Sequence, residues 1–229
     1  MTGLAVALLV VFAVAAVANW VAVAGNAAGA DGEALGHGEY APEPWRQRVE
    51  YVAKPLALVA LVGVALALEP ADPAVRAWFV AALVLSLAGD VLLMLPSDRF
   101  VAGLAAFLLA HLAYAGGLVA DGVTAVGLAI GLVVVGVAVG LVGVPLLRGV
   151  RRAEPAMTVP VGAYVVVISA MVLCAVGTGN GLAIAGAASF YASDALIGLT
   201  RFVRPAVWAP VAIMVTYHVG QALLTLSLT

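Results

Sequence analysis

Charged side chains are scarce in this sequence, and their scarcity excludes most classes of soluble protein. Of the 229 residues only 10% are charged, whereas 65% are hydrophobic. The mean hydropathy is +1.18, and an ordinary soluble domain is only about half apolar. The composition is therefore that of an integral membrane protein that crosses the bilayer several times.

Cysteine is nearly absent, and so is any excess of positive charge. The single Cys174 excludes an internal disulfide bond. Ten basic residues against twelve acidic ones give a formal net charge of -2. The chain thus lacks the basic surface that nucleic-acid binding requires, and no nucleic-acid partner is expected.

Long apolar segments divide the chain into transmembrane spans. The first, Leu4 to Ala24, has no basic residues before it and is too long for the core of a signal peptide. A polar stretch, 26–50, follows and is predicted to be a loop. The remaining apolar segments have about 18 to 25 residues, the length that crosses about 30 Å of hydrocarbon. The predicted helices are 3–25, 51–68, 74–95, 99–119, 122–147, 157–176, 179–199 and 206–228, an all-α bundle forming a single integral membrane domain over 1–229.

Arginine residues indicate how this bundle is oriented. Because the loops between predicted helices are short, neighbouring helices must run antiparallel. Only Arg76 flanks an even-numbered loop, whereas eight arginines fall in odd-numbered loops: Arg46, Arg48, Arg99, Arg148, Arg151, Arg152, Arg201 and Arg204. Basic residues concentrate on the cytoplasmic side of membrane proteins. We therefore expect a plasma-membrane protein with both termini outside the cytoplasm.

Two acidic residues, Asp90 and Asp194, and one basic residue, Lys54, lie inside the predicted apolar spans. A charged group at mid-bilayer costs at least about 2.5 kcal/mol, so each is a candidate functional residue. The alternative is that they only join helices by hydrogen bonds. Both aspartates lie about five residues, or roughly 8 Å, from the predicted cytoplasmic end of their helices. Because the other polar residues of the spans fall in the same half of the membrane, the sequence predicts a cavity open to the cytoplasmic leaflet.

Local spacing indicates which side chains share a helix face. Tyr114 lies three residues beyond His111, and Gln221 lies four beyond Tyr217, so each pair projects from one face. His218 is rotated by about 100° from Tyr217. We therefore interpret His218 as a residue that hydrogen-bonds between helices and not as part of the cavity.

Two short matches suggest an internal repeat. Gly89-Asp90 precedes Arg99-Phe100, and Ser193-Asp194 precedes Arg201-Phe202, at the ends of the third and seventh predicted helices. This pattern fits two four-helix halves of the same orientation, with the two aspartates facing each other across a pseudo-twofold axis.

An ordered set of motifs extends over six helices. It comprises Lys54-Pro55, Gly89-Asp90, Gly103 with Phe107 and His111-Leu112-Ala113-Tyr114, Tyr164, Phe190-Tyr191-Ala192-Ser193-Asp194, and Tyr217 with Gln221. The set resembles the pattern of the YhhN-like integral membrane proteins, which include the lysoplasmalogenases. The resemblance implies a membrane enzyme that hydrolyses the vinyl ether bond of a lysoplasmalogen to a fatty aldehyde and a glycerophospho-base.

The resemblance also implies roles for individual residues. Two carboxyl groups in a low-dielectric site can divide acid and base work, one protonated and one ionised, so Asp90 and Asp194 are the predicted catalytic pair in an order left open. The predicted substrate-binding residues are Lys54, His111, Tyr114, Tyr164, Ser193, Tyr217 and Gln221. Lys54, with Arg99 and Arg201, is expected to meet the lipid phosphate. No metal or other cofactor is expected, and the partners are the lysophospholipid and the bilayer.

Two other classes of protein remain open. A zinc-dependent hydrolase of the ceramidase type would have to use His111, His218 and both aspartates as ligands. A proton-coupled transporter or lipid flippase would also place acidic residues in a cavity within one half of the membrane.

Overall fold

The structure is a computed structural model that describes residues 1–34, 43–70, 72–95, 97 and 99–229. Over these residues it is helical, without β-strands, and eight of its helices are long and apolar enough to cross a membrane. They are α1 (Gly3–Ala34), α2 (Pro44–Ala67), α3 (Pro73–Met94), α4 (Phe100–Asp121), α5 (Ala125–Ala153), α6 (Pro155–Thr178), α7 (Gly181–Phe202) and α8 (Ala209–Leu226). The prediction of an all-α transmembrane bundle of eight helices is confirmed.

Capping residues define several helix ends. The Asp72 side chain accepts a hydrogen bond from the Ala74 backbone N–H at 2.8 Å and begins α3. Asn180 begins α7 in the same way, accepting from the N–H of Leu182 at 2.9 Å. Gly179, at φ 71°, ends α6 in the left-handed conformation that favours glycine. These caps keep the connections short, as antiparallel packing of neighbouring helices requires.

The polar stretch 26–50 was predicted as a loop, and that prediction is wrong at both ends. Helix α1 continues to Ala34, and α2 already begins at Pro44. The residues after position 25 are rich in alanine, the best helix former, and proline suits the first turn of a helix. The predicted loop therefore shortens, and residues 35–42 lie outside the described part of the chain.

Helix α5 contains an irregular turn. Residues Val139–Gly143 form a π-helical turn, in which the Val144 N–H bonds to the Val139 carbonyl. Pro145 lies two residues after the turn; it has no N–H, and its ring would clash with the carbonyl four residues earlier in a regular helix. The wider turn relieves this conflict. Helix α5 then continues to Ala153, beyond the predicted end at 147.

Helix pairs α1–α2, α3–α4 and α7–α8 form the most extensive contacts, and α4 also packs on α6. Glycines allow α7 and α8 to approach closely: a Cβ added at Gly186 would lie 2.7 Å from the Leu224 backbone nitrogen. Exchanging the first four helices for the last four converts the α4–α6 contact into an α8–α2 contact, which is present but less extensive. The α1–α8 contact has no counterpart of similar extent between α5 and α4 among the described residues, so the helix contacts follow the predicted repeat of two four-helix halves only in part.

Candidate active site

Asp90, near the end of α3, has both carboxylate oxygens engaged. The Lys54 ammonium on α2 lies 3.0 Å from Oδ1. The Tyr217 hydroxyl on α8 donates to Oδ2 at 2.7 Å. The Asp90 residue is only 1% exposed. Asp90 is thus a buried carboxylate whose charge is compensated by a lysine.

Asp194, on α7, has a different set of partners. The Tyr164 hydroxyl on α6 donates to Oδ2 of Asp194. His111 Nε2 on α4 lies 3.0 Å from the same oxygen and 2.9 Å from the Tyr164 hydroxyl. The Asp194 side chain is 11% exposed, compared with 2% for Asp90. Because both contacts are made to Oδ2, Oδ1 is the oxygen of Asp194 that is left for a ligand.

The two carboxylates occupy equivalent positions in the two halves of the bundle. Asp90 is held from α2 and α8, and Asp194 is held from α6 and α4, the helices that correspond under the exchange of halves. The equivalence is geometric and not chemical. Where Asp90 has the cation of Lys54, Asp194 has the neutral phenol of Tyr164.

An apolar cavity opens beside Asp194. Helices α3 to α7 contribute its walls, including Val142 and Gly143 of the π-helical turn. Asp194 is the acidic residue in this wall, and Tyr164 lies next to it. The wall is thus apolar, as the wall of a site for a hydrocarbon chain would be, and it carries one acid.

A second, more open cavity lies next to the apolar one and is called the vestibule below. It has an empty volume of about 1030 Å³ and is lined by the charged residues Glu50, Lys54, Arg99 and Arg201, among others. Leu93, Phe100 and Ile197 line both cavities. The lining residues come from the helix ends that carry the arginines, so the vestibule lies at the arginine-rich end of the bundle. The two cavities together have the polarity of an amphiphile with a charged head and one chain.

The other predicted binding residues form bonds within the core. The Tyr114 hydroxyl donates to Gln221 Oε1, which joins α4 to α8. The Ser193 hydroxyl donates to the Ile213 carbonyl at 3.1 Å, which joins α7 to α8. These hydrogen bonds do not reach a carboxylate. The structure thus brings Lys54 and Tyr217 to Asp90, and His111 and Tyr164 to Asp194, and it places Tyr114, Ser193 and Gln221 at helix contacts.

The interpretation of His218 is confirmed, because Trp20 Nε1 on α1 donates to His218 Nδ1 at 2.9 Å. Within the described ranges, no three His, Cys, Asp or Glu side chains gather as a metal site would need. Sequence reasoning missed the cavity walls, including Phe202 and the π-helical turn. Pro145, inside a long apolar helix, was the available signal for that turn.

Fold and site together define a polytopic membrane protein with two carboxylates inside its helices and an apolar cavity beside one of them. The chain belongs to the YhhN family, whose model matches residues 49–228. The match begins in α2, so α1 lies before it.

Curated relatives carry a common name. A human protein named lysoplasmalogenase TMEM86B is 35% identical over 147 residues, which is 64% of this chain and 61% of the relative. Proteins named lysoplasmalogenase from Mycobacterium bovis and Mycobacterium tuberculosis are each 35% identical over 160 residues, 66% of this chain and 59% of the relative. The matched stretch thus covers about three fifths of each relative. No solved structure matches the chain significantly.

Proposed function

We propose that this protein is a membrane-embedded hydrolase that cleaves the vinyl ether bond of a lysoplasmalogen-type lysophospholipid. The family and the names of the relatives support this activity. The observation that carries the proposal is the position of Asp194, an acid in the wall of an apolar cavity that adjoins an arginine-lined vestibule. In a lysoplasmalogen the vinyl ether lies between hydrocarbon chain and phosphoglycerol head. A lipid bound across both cavities would present that bond near Asp194.

The different environments of the two carboxylates support different roles. Asp194 has one oxygen available and faces the cavity, so we assign it the proton transfers. Asp90 has both oxygens occupied and is ion-paired with Lys54. A carboxylate in that state is poorly suited to donate a proton, because protonation would break the ion pair. We assign Asp90 to holding α2, α3 and α8 in place through its contacts with Lys54 and Tyr217.

The reaction begins when protonated Asp194 transfers its proton to the β-carbon of the vinyl ether. The π electrons form the new C–H bond, and the ether oxygen shares a lone pair with the α-carbon, giving an oxocarbenium ion. The Asp194 carboxylate left behind stabilises this cation. It then takes a proton from the water that adds to the α-carbon, which yields a hemiacetal and restores the acid. In the collapse of the hemiacetal, Asp194 gives its proton to the glycerol oxygen as the C–O bond breaks and takes the proton of the hemiacetal hydroxyl as the C=O bond forms, so the aldehyde and the glycerophospho-base are released and the acid is restored.

His111 and Tyr164 act on this step through Oδ2 of Asp194. Their two contacts fix the carboxyl plane and direct Oδ1 towards the substrate. They also stabilise the carboxylate that forms when the proton leaves, since hydrogen bonds to a charged acceptor are stronger than those to a neutral one.

Hydrolysis by the purified protein in detergent, where no ion gradient exists, tests the proposal. Asp194→Asn should lower kcat for a lysoplasmalogen at least about a hundredfold, because a positioned acid contributes about 10²–10⁴-fold. Asp121→Asn, which changes an exposed acid at the end of α4, is the matched control and should leave kcat unchanged.

Three results would count against the proposal. If kcat of Asp194→Asn lay within tenfold of the wild-type value, Asp194 would not be the acid of the reaction. Sensitivity to a chelator would favour the zinc-dependent class. A folded wild-type protein that is inactive on lysoplasmalogens would favour the transporter class.

A further inference from the structure

Three arginines lie close together at the end of α5 and are called the α5 basic cluster below. Arg148, Arg151 and Arg152 have the spacing i, i+3 and i+4, so they are neighbours on the helix surface, and all three are exposed. Arg148 and Arg152 each follow a buried residue, Leu146 or Val150, by two positions. At about 100° per residue they project about 200° away from the packed side of the helix. The cluster therefore faces away from the bundle.

The charge of the cluster is not balanced within the chain. Within the described ranges no ion pair includes any of its arginines, whereas Arg46, at the same end of the bundle, is paired with Glu43 at 3.6 Å. Like charges at this helical spacing repel each other. The helix dipole favours cations in the last turn, but Arg148 lies one turn earlier. An anion from outside the chain would thus stabilise the cluster.

The rest of α5 indicates what kind of anion would fit. Before the cluster, the helix exposes branched apolar side chains, including Ile130, Val133 and Val137. The buried residues of α5 are few: Gly131, Gly143, Leu146 and Val150. The helix therefore lies at the edge of the bundle with one side open to the bilayer. Arginines directly beyond a lipid-facing apolar surface suit a ligand with an anionic head and hydrocarbon chains.

We propose that the α5 basic cluster binds the head group of an anionic phospholipid, whose acyl chains lie along the exposed apolar side of α5. Guanidinium groups bind phosphate oxygens through charge-assisted hydrogen bonds. A zwitterionic phospholipid has the same phosphate, but its ammonium group would be repelled by the neighbouring arginines. No arginine of the cluster is among the residues that line the apolar cavity or the vestibule. The site is thus separate from the one described above, and the proposal does not rest on the proposed function.

Packing on the other side of this helix end gives the bound lipid a structural consequence. Leu146 and Val150 are buried in one cluster with Phe202 of α7. A Cβ added at Gly149 would lie 2.5 Å from the Val203 side chain and 3.2 Å from the Phe202 carbonyl, so the ends of α5 and α7 are in close contact. A ligand that binds only the folded protein stabilises it. An anionic phospholipid should therefore raise the unfolding temperature.

Two phospholipids with identical chains test the proposal: dioleoylphosphatidylglycerol, which is anionic, and dioleoylphosphatidylcholine, which is zwitterionic. Each is titrated into the purified full-length protein in neutral detergent, and binding is followed by native mass spectrometry. The wild type should bind phosphatidylglycerol about tenfold or more tightly than phosphatidylcholine, because each basic residue near a membrane surface contributes about fivefold to the affinity for an anionic lipid. Phosphatidylglycerol alone should raise the unfolding temperature.

Substitutions separate a defined site from the general positive charge that membrane proteins carry at their cytoplasmic end. Arg152→Gln should weaken binding of phosphatidylglycerol about threefold or more, and Arg148→Gln/Arg152→Gln about tenfold or more. Neither variant should change binding of phosphatidylcholine. Arg48→Gln is the matched control, because it removes one exposed arginine from the same end of the bundle on α2, and it should leave both affinities within about twofold.

A conservative variant and a competing anion complete the test. Arg148→Lys/Arg152→Lys keeps both charges without the forked donors, so it should weaken binding of phosphatidylglycerol less than the glutamine pair does. Inorganic phosphate, compared with chloride at equal ionic strength, should not displace phosphatidylglycerol, because it has no chains to bury. Displacement would assign the cluster to phosphate from any source and overturn the lipid site.

Two further results would also overturn the proposal. One is equal affinity of the wild type for the two phospholipids. The other is a loss in Arg48→Gln as large as the loss in Arg152→Gln, since binding would then follow the net charge of that end of the bundle. If Arg148→Gln/Arg152→Gln does not fold, the comparison of the two single variants still decides. Because neither lipid is a lysoplasmalogen, an enzyme that is inactive on lysoplasmalogens would leave this test valid.

Discussion

At the scale of single residues, the ion pair of Lys54 with Asp90 should contribute to the stability of the protein. Removing one partner of a buried ion pair leaves an uncompensated charge and costs about 3–5 kcal/mol, whereas replacing both partners is often neutral. Lys54 also lines the vestibule, where water can reach it, but Asp90 lies deeper. Leaving the Asp90 charge without its counterion should therefore cost more stability than leaving the Lys54 charge without its counterion.

We predict that Lys54→Met destabilises the protein more than Asp90→Asn does, because it leaves the deeper charge without its counterion. The double variant Lys54→Met/Asp90→Asn should recover at least half of the stability lost by Lys54→Met. Thermal unfolding of the three variants in the same detergent measures the effect. Losses that simply add in the double variant would show that the two residues do not stabilise each other.

The two tyrosines that bond to the carboxylates give a second prediction. Tyr164→Phe removes a hydrogen bond to the proposed acid, so kcat should fall about ten- to hundredfold, the rate equivalent of about 1.5–3 kcal/mol. Tyr217→Phe makes the same chemical change at Asp90 and serves as the matched control. It should lower the unfolding temperature and reduce kcat much less. Equal losses of kcat would contradict the assignment of different roles to Asp90 and Asp194.

That both aspartates lie inside apolar helices could be predicted from the sequence, but the difference between their surroundings could not. The equal distance to the helix end was not found, because α3 ends at Met94, close to Asp90, whereas α7 continues to Phe202, further beyond Asp194. Partners depend on packing: Tyr217 is 127 positions from Asp90, and His111 is 83 positions from Asp194. No local sequence pattern predicts contacts between residues that are so far apart in the chain. Without them, two aspartates at equal predicted depth looked equivalent.

At the scale of elements, the π-helical turn of α5 shapes the apolar cavity. It places Val142 and Gly143 in the cavity wall, and the last part of the helix follows it. In that later part, Leu146 and Val150 are buried in a smaller core cluster with Phe202. The turn thus joins the cavity wall to the part of the helix that forms this cluster.

Deleting Leu141 should convert the π-helical turn into a regular one and leave the rotation of the rest of α5 nearly unchanged, because the wide turn holds one more residue than a regular turn. The Pro145 ring would then clash with the carbonyl four residues earlier, so the unfolding temperature should fall by about 5 °C or more. Binding of a single-chain lysolipid should weaken as well. Leu141→Ala is the matched control and should change neither property, because the Leu141 side chain is 73% exposed. An unchanged deletion variant would mean that the turn has no role in packing.

The sequence predicted which segments form helices more reliably than the residues at which these helices begin and end. Every predicted span has a counterpart in the structure, because about 20 apolar residues in a row can cross a bilayer only as a helix. The ends at Ala34 and Pro44 were missed because hydropathy marks where the bilayer ends, and a helix can continue beyond it. The end of α5 at Ala153 was missed for the same reason, since Arg151 and Arg152 lie in its last turn.

At the scale of the whole molecule, the arginines and the vestibule lie at the same end of the bundle. Arg99 and Arg201 line the vestibule, and Trp45 and Trp208, half or more exposed, begin helices at that end. Exposed tryptophans are enriched at the membrane–water interface. The mouth of the site should thus lie at head-group level, in the leaflet that the arginines face. The orientation of the bundle therefore decides which leaflet supplies the lipid.

We predict that the arginine-rich end faces the cytoplasm, because eight of nine arginines lie in the odd-numbered loops. A reporter that is active only after export should be active when fused after Thr229 and inactive when inserted after Arg152. Insertion after Gly122, in the exposed turn between α4 and α5, is the control for the opposite end and should also give an active exported reporter. A reporter active only in the cytoplasm should give the reverse pattern at all three sites. If the exported reporter were active after Arg152 instead, the vestibule would open to the outer leaflet, and the protein would draw its lipid from that side.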